Sequence, residues 1–425
     1  MPFAPTLSLT EILQSIAQTF LAVWWVVIPL ALFFIFRDLW LFYIRTKYVK
    51  AISWTLLELK IPKNVLTTPK AMEQIFAAAH GTYSFGIKFL EKWWDGKVED
   101  WMSFELVGYA GGVYFYVRLP SKYRNLLEAA VYAQYPDAEI HEPQNDYMDL
   151  LPASLPNQVY DLFGFDLILA REDAYPIRTY PYFEAIVEEQ RLDPIAAVTE
   201  VMSKLKEGEV ILIQILIRPA GDAWKKKAEE LVAKLIGKKS PKQLGLLGWI
   251  ASFLRNLTFA PFTYPLWPDE EVKKEGPPNM LSFLTESQKD VVKSIEEKIA
   301  KIGFETNVRF IYVDRRDSFT RANVSAVNGA FRQFNTQNLN GFRPDMATFP
   351  RIASPFALFK ARRERGRKTM LFFNYRTLTM NQKVSVLNIE ELATIYHPPI
   401  VTVGAPMLRR LESRKGEPPP ALPTE

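Results

Sequence analysis

The densest chemistry in this sequence is Lys360–Lys368, KARRERGRK, where Lys360, Arg362, Arg363, Arg365, Arg367 and Lys368 put six cations in nine residues beside a single Glu364. Ammonium and guanidinium groups at that density suit the phosphates of a nucleic-acid backbone or an acidic patch on a protein partner. The run lacks the interleaved aromatics on which single-strand binders stack bases, and it reads as an exposed basic loop. Elsewhere the signals for chemistry are weak. A phosphate loop needs Gly-x-x-x-x-Gly-Lys-Ser/Thr so that backbone N–H groups and the lysine close on the phosphates. The nearest stretch, GTYSFGIK at Gly81–Lys88, displaces the lysine by one place and has no hydroxyl after it. Gly366-Arg367-Lys368-Thr369 has no upstream glycine. Cysteine is absent and histidine is limited to His80, His141 and His397, which excludes disulfides and thiolate sites and argues against zinc. His80 and His141 fall at element ends, where an imidazole usually satisfies a local hydrogen bond. The pairs Glu188-Glu189, Glu229-Glu230, Glu296-Glu297 and Glu390-Glu391 lie on helical stretches and read as solvated faces. No catalytic residue, cofactor or metal is assigned, and the expectation is a protein without enzymatic activity.

What positions this chemistry is an anchor near the N-terminus. Phe20–Phe36 contains no charged or amide side chain. Seventeen residues at ~1.5 Å each cover about 26 Å, and Leu39–Ile44 extends the run toward a ~30 Å hydrocarbon core. Pro29 kinks such a helix without forbidding it. Residues 1–36 carry no Lys or Arg, whereas Arg37, Arg45, Lys47 and Lys50 follow at once, an asymmetry that places the C-terminal side in the cytoplasm. A signal peptide needs a basic n-region and small residues at a cleavage site, and Trp24, Trp25, Phe33, Phe34 and Phe36 fit neither. The expectation is a single-pass protein of the cytoplasmic membrane, N-terminus outside. The formal charge of +5 over 425 residues is too small to argue for nucleic acid by itself.

The rest of the chain, 48% hydrophobic overall, has enough apolar residues for sizeable cores. Ser53–Ile61 suits a strand, Thr68-Pro69 opens a helix to about His80, and Trp101–Gly108 with Val113–Pro120 forms a hairpin. A helix from Ser121 to about Tyr135 and a short strand at Ala138–His141 follow. The order β-α-β-β-α-β predicts a ferredoxin-like domain. The same order recurs, stretched: Leu162–Ala170, a helix from Asp193-Pro194 to about Lys206, Glu209–Pro219, Glu305–Asp314, a helix from Ser318 to about Phe334, and a closing strand at Thr369–Arg376. The run of Val210, Ile211, Leu212, Ile213, Ile215, Leu216 and Ile217 requires cover on both faces and so a central strand. Amphipathic helices are expected at Ala223–Ile236 and Glu286–Ile302. The predicted fold is thus α+β: an external tail at 1–18, a transmembrane helix at 19–45, and two tandem ferredoxin-like domains at 50–145 and 160–400. The second carries a helical insertion at 238–284, and a Pro-rich tail occupies 401–425. Within the insertion, Leu244–Leu257 reads either as an in-plane membrane helix or as a helix packed on its own domain or a neighbouring subunit.

Several stretches carry a family resemblance: WTLLELKIP (54–62), TPKAMEQIFAAAHG (68–81), RTYPYFEAIVEEQRLDPIAAVTEVMSKLKEGE (178–209), GAFRQFNTQNLNGFRP (329–344) and VLNIEELATIYHPP (386–399), with VGAP (403–406) and PPPALP (418–423) behind it. The chain resembles the membrane-attached N-terminal region of bacterial type IV secretion and conjugation ATPases of the HerA/FtsK superfamily, in which a Pro-rich link leads into the nucleotide-binding domain. No catalytic motif lies within the resemblance. It implies a membrane-tethered scaffold that docks or positions a separately encoded HerA/FtsK-type ATPase in a secretion-like or DNA-transfer machine. A membrane-tethered nucleic-acid binder using residues 360–368 is the alternative, and homo-oligomerisation is compatible with both. In LNIEELATIYHPP, Asn388 suits an N-cap with Glu391 at capping-box spacing, and the helix must end before Pro398-Pro399. Its outward face, with Glu390, Thr394 and His397, is the expected docking surface.

Overall fold

The computed structural model of the chain describes residues 9–61, 68–183, 192–236, 285–352 and 358–399, with side chains from residue 24 onward. The expected insertion at 238–284, including Leu244–Leu257, the tail at 401–425 and the Glu188-Glu189 pair lie outside the described residues. The described chain forms two compact units, one of residues 1–53 with 84–99 and the other of residues 54–83 with 100–425.

The first unit is built on α1 (Leu9–Lys50), a helix of 42 residues with Pro29 inside it. An 18-residue window within its stretch Trp24–Lys50 has a mean hydropathy of 1.9, and α1 is the one helix among the described residues that is long and apolar enough to cross a membrane. The helix begins well before the expected boundary at residue 19, because Leu9–Thr19 contains neither Pro nor Gly to stop it. Residues 84–99 fold beside its polar end and contain a π-helical turn, Glu91–Asp95, closed by Gly96 at φ 67°.

The second unit is a mixed α/β body around one antiparallel sheet. Its strands are β1 (Trp54–Lys60), β2 (Met102–Tyr109), β3 (Gly112–Pro120), β4 (Glu139–His141), β5 (Tyr160–Leu169), β6 (Val210–Pro219), β7 (Gly303–Arg315), β8 (Phe342–Pro344) and β9 (Ser385–Asn388). They run in the order β4-β1-β3-β2-β6-β7-β5-β8, and β9 pairs with β7 beyond the end of β5. Instead of two separate sheets, β2 and β6 pair along their whole length, Met102 opposite Ile217 through Tyr109 opposite Val210. An edge strand as apolar as β6 would be a template for aggregation, and pairing it on both sides removes that exposure. Ile211, Ile213 and Ile215 accordingly face one core and Leu212 the other.

On the first face of the sheet, Phe104, Val117, Ile213 and Phe310 pack against α2 (Lys70–Ala79), α3 (Arg124–Gln134), α4 (Ala196–Ser203) and α7 (Ala322–Phe331), with α9 (Ile389–Ile395) closing the layer. Phe76, Phe104 and Tyr396 form a ring cluster there, with centroids 4.8 and 5.1 Å apart. Two further helices, α5 (Ala223–Leu235) and α6 (Glu286–Ala300), pair in a satellite cluster through Ala228, Val232, Val292 and Ile295. Thr285 and Gln288 cap α6 reciprocally.

The second face is covered by α8 (Lys360–Arg376) and a short 3₁₀ turn, Tyr147–Leu150. This corrects two expectations at once: Lys360–Lys368 is helix rather than loop, and Thr369–Arg376 is its continuation rather than a strand. An apolar run as short as TMLFF fits either state by periodicity. The packing decides, because Leu371, Phe372 and Tyr375 fall on one helical side and are buried. Gly164 lets that side close on β5: a Cβ there would stand 2.3 Å from the Phe310 carbonyl oxygen and 2.9 Å from Leu371 Cδ2. The closing strand pairings are made instead by the short β8 and β9.

Candidate functional site

Each long strand of the sheet carries one polar residue in an otherwise apolar middle, and the register brings these residues into line. His141 on β4 lies opposite Glu58 on β1, Glu58 opposite Tyr116 on β3, and Tyr116 opposite Glu105 on β2. Glu105 then lies opposite Gln214 on β6, Gln214 opposite Arg309 on β7, and Arg309 opposite Asp166 on β5. The result is a polar row crossing seven strands on the α8 side of the sheet. From Glu105 to Asp166 it is sealed from solvent.

Every member is held by another. Asp166 accepts from Arg309 Nε at 2.9 Å and Asn307 Nδ2 at 3.0 Å, and from Asn381. Arg309 also donates to Gln214 Oε1 (2.9 Å) and to the Thr379 carbonyl (3.1 Å). Gln214 Nε2 reaches Glu105 Oε1 (3.3 Å) and the Tyr375 carbonyl (3.1 Å). Glu105 accepts from Ser103 and from the Tyr147 hydroxyl, both at 2.6 Å, and the Tyr147 and Tyr375 hydroxyls are 2.8 Å apart. Arg118 adds a guanidinium 3.7 Å from Glu105 and a bidentate pair with Asp146 at 2.6 and 3.0 Å. A cavity of about 120 Å³ lies among Glu105, Arg118, Asp146, Tyr147, Tyr375 and Arg376.

The electrostatics follow from burial and these contacts. Burial pushes the Tyr147 and Tyr375 phenols well above their ordinary value, and the nearby Glu105 carboxylate pushes them further. Burial lowers Arg309. For Arg118 burial acts the same way, but Glu105 and Asp146 outweigh it and hold the guanidinium above its usual value. Burial acts to raise Asp146, and the paired Arg118 outweighs that, so its carboxyl sits below the ordinary range. Chemically, the row is committed to itself. Glu105 has both oxygens occupied by hydroxyl and amide donors, so neither is held in reserve as a base. Such a network fixes register and orientation.

The basic segment splits in two along α8. Arg367 donates to the Phe349 carbonyl at 2.7 Å and Lys368 pairs with Asp161 at 2.7 Å. Lys360, Arg362, Arg363 and Arg365 are exposed on the half of the helix that precedes Leu371, while Glu364 turns inward to accept from Ile352 N at 2.9 Å. Helical geometry thus presents four of the six cations to solvent and uses two to seat the helix.

The expected docking face at Glu390, Thr394 and His397 is not an exposed one. Thr394 is buried, its hydroxyl accepting from Tyr180 N at 2.9 Å and donating to the Glu390 carbonyl at 2.7 Å. His397 is buried between the Ala393 carbonyl (2.8 Å) and Asp193 Oδ1 (3.0 Å). Glu390 is largely covered and pairs with Lys301. Helix α9 is short, and the segment at 177–180 lies across the side expected to face water. The Asn388–Glu391 capping box is present, both bonds at 2.8 Å. Glu391, read as part of a solvated pair, is instead fully buried and 2.9 Å from Lys298; burial pushes its carboxyl up. Of the remaining histidines, His80 packs on Tyr83 and Phe304, and His141 lies 2.9 Å from Glu58. Among the described residues no cluster of His, Asp and Glu has a metal-binding arrangement.

The polar row had a signal in the sequence that periodicity reasoning passed over: Glu58 in TLLELKI, Glu105 in SFELVG, Asp166 in FGFDLIL, Gln214 in ILIQILI and Arg309 in NVRFIY are each a charged or amide residue with an apolar neighbour on either side. No curated protein matches the chain. A family model does match residues 52–399, from the start of the sheet body to the prolines that end it, and the chain belongs to that family, described as a domain of unknown function (DUF8128).

Proposed function

We propose that this protein is a non-catalytic, membrane-tethered scaffold that holds a macromolecular partner through the basic N-terminal half of α8. In this reading α1 crosses the cytoplasmic membrane with its N-terminus outside, and the sheet body lies in the cytoplasm, as the Lys/Arg asymmetry around Phe20–Phe36 favours. The observation that carries the proposal is the division of α8. Its C-terminal half is locked to the sheet by Leu371, Phe372 and Tyr375, while Lys360, Arg362, Arg363 and Arg365 stand exposed on the same rigid rod. A positioned array of cations is a contact surface that needs no flexibility and no chemistry of its own.

The partner in this proposal is a separately encoded HerA/FtsK-type motor ATPase, an assignment that rests on the sequence resemblance. With Thr394 and His397 buried, its contact is moved from α9 to α8. The strand orders β4-β1-β3-β2 and β8-β5-β7-β6 support reading the body as two ferredoxin-like halves fused edge to edge through β2 and β6. The same exposed cations favour a second reading, a nucleic-acid backbone as the ligand.

The test is co-purification of the full-length chain with its neighbouring ATPase from native membranes, before and after Lys360, Arg362, Arg363 and Arg365 are each changed to Glu. Loss of the ATPase with an unchanged melting temperature supports the proposal. Undiminished capture removes α8 from the interface. DNA retardation by the wild type at low salt, lost in the variant, selects the second reading. ATP hydrolysis by this chain alone contradicts the scaffold.

A further inference from the structure

Residues 84–99, in the same unit as α1, present large apolar side chains on their outside. Phe89, Leu90 and Trp94 are 72, 73 and 76% exposed within one short helical stretch. Single exposed apolar residues are ordinary, but several large ones together mark a surface that something covers. Lys88 and Lys92 are interspersed with them and are also exposed.

The stretch is fixed to α1 at a defined level. Trp40 Nε1 donates to the Trp93 carbonyl at 2.9 Å, and the Trp40 and Trp94 rings lie 6.3 Å apart. Gly96 lies directly against the α1 backbone, where a Cβ would be 2.4 Å from the Ile44 carbonyl carbon. Its φ of 67° is a second reason for glycine there. These contacts fall at residues 40–45, four to nine residues past Phe36, the end of the uncharged run. At ~1.5 Å per residue they lie about 6–13 Å beyond it along the helix. With the uncharged run filling about 26 Å of a ~30 Å hydrocarbon core, that is about 2–10 Å past the core edge, a range that includes the headgroup layer of about 5–8 Å on that side. The α1 side chains at the same level have the composition of a membrane interface: Leu39, Phe42 and Tyr43 are exposed, and Arg37, Arg45 and Lys47 surround them.

We infer that residues 84–99 form a second, interfacial membrane contact. Phe89, Leu90 and Trp94 enter the headgroup–acyl boundary of the leaflet from which the basic end of α1 emerges, and Lys88 and Lys92 meet anionic headgroups. The inference rests on α1 crossing the bilayer. Its occupant is lipid because a surface held at this depth beside a single span is surrounded by lipid. A lone span is free to rotate about its axis, whereas one bolted through Gly96 and Trp40 to an interfacial element has a fixed rotation.

The chain contains no cysteine, so single labels can be placed without background. Full-length Leu32→Cys, Leu90→Cys and Asp95→Cys variants would each carry a nitrobenzoxadiazole fluorophore in phosphatidylcholine–phosphatidylglycerol vesicles, probed with doxyl-labelled lipid and with aqueous iodide. The expected result is strong doxyl quenching at positions 32 and 90, and an iodide quenching constant severalfold smaller at 90 than at the exposed Asp95 position. Quenching at 32 combined with full iodide access at 90 overturns the interfacial contact and leaves the span standing. A label at 90 shielded from both quenchers means that protein covers the site, which also overturns it. Iodide access at 32 defeats the span and this inference together.

Discussion

The two faces of the sheet are built on different principles although the same strands supply both. On one, Phe104, Ile213 and Phe310 meet a layer of five helices in an apolar core. On the other, Glu105, Gln214, Arg309 and Asp166 form a sealed polar line under α8 and the Tyr147 turn. Apolar burial is not directional, and it stabilises many related packings nearly equally. A buried charge tolerates only the arrangement that pairs it. The comparison suggests that the apolar face supplies most of the stability, while the polar row sets the register of a sheet whose two halves have similar strand orders. Glu105 opposite Gln214 is the joint between those halves, and a one-residue slip there would strand a carboxylate in the apolar core.

The sharpest break in this comparison comes from matched single changes. Phe104→Ala on the apolar face should cost about 3–5 kcal/mol through the cavity it leaves. Asp166→Ala should cost about as much, by stripping Arg309 of its buried partner. The two then diverge: combining Asp166→Leu with Arg309→Met should recover the part of the loss that comes from the stranded guanidinium, but not the part owed to Asn307, Asn381 and Gln214, which lose their partners. No second substitution of that kind should rescue Phe104→Ala. Denaturant titration of the detergent-solubilised chain reads all three variants. Failure of the double variant to recover would mean that the row contributes stability as well as register.

Smaller effects sharpen the contrast. Glu105→Gln keeps the shape and removes the charge that faces Arg118, so a loss of about 1–3 kcal/mol is expected from the same titration. Asp146→Asn should cost about 1 kcal/mol near neutral pH, discounted because the group is partly exposed. Its sign with pH is fixed by the direction of the shift. A carboxyl held low in the fold stabilises above its unfolded pKa, and that contribution is lost as pH falls through the folded value. The difference in melting temperature between wild type and Asp146→Asn should therefore shrink on acidification from pH 6 toward pH 3, and a constant difference would show that the Arg118 pairing is not its source. Smallest of all, Arg362→Ala, Arg363→Ala and Arg365→Ala should each change stability by less than about 0.5 kcal/mol. Larger losses would mean that these side chains seat the helix as Arg367 and Lys368 do.

Much of the body was legible because its strands are long and its turns conventional. The hairpin of β2 and β3, the central position of β6, the capping box at Asn388 and the amphipathic helices α5 and α6 all follow from local pattern. The misreadings have a common cause, namely that short segments take their state from what covers them. Thr369–Arg376 is apolar enough for a strand and becomes helix because Gly164 leaves room for Leu371. Thr394 and His397 lie on what the sequence makes an outer face, and the segment through Tyr180, 214 residues away along the chain from Thr394, covers it. The separate sheets were expected because the strand order repeats, and order alone does not say whether two edges join. The polar row is written in single residues whose meaning depends on cross-strand register, and register is a tertiary fact. The exposed Phe89, Leu90 and Trp94 lie just past the failed phosphate-loop match at Gly81–Lys88, in a stretch that no sequence pattern singled out.

The central claim is that a membrane-tethered body holds its partner through the exposed half of α8. Site-specific photo-crosslinking in native cells addresses it directly, with a photoreactive phenylalanine derivative replacing Arg363 in the full-length chain and, as a control, replacing the exposed Lys293 on α6. The account predicts a membrane-fraction adduct from position 363 that contains a HerA/FtsK-type ATPase, and none from position 293. An adduct of the ATPase from position 293 with none from 363, or no ATPase adduct from either, would contradict it.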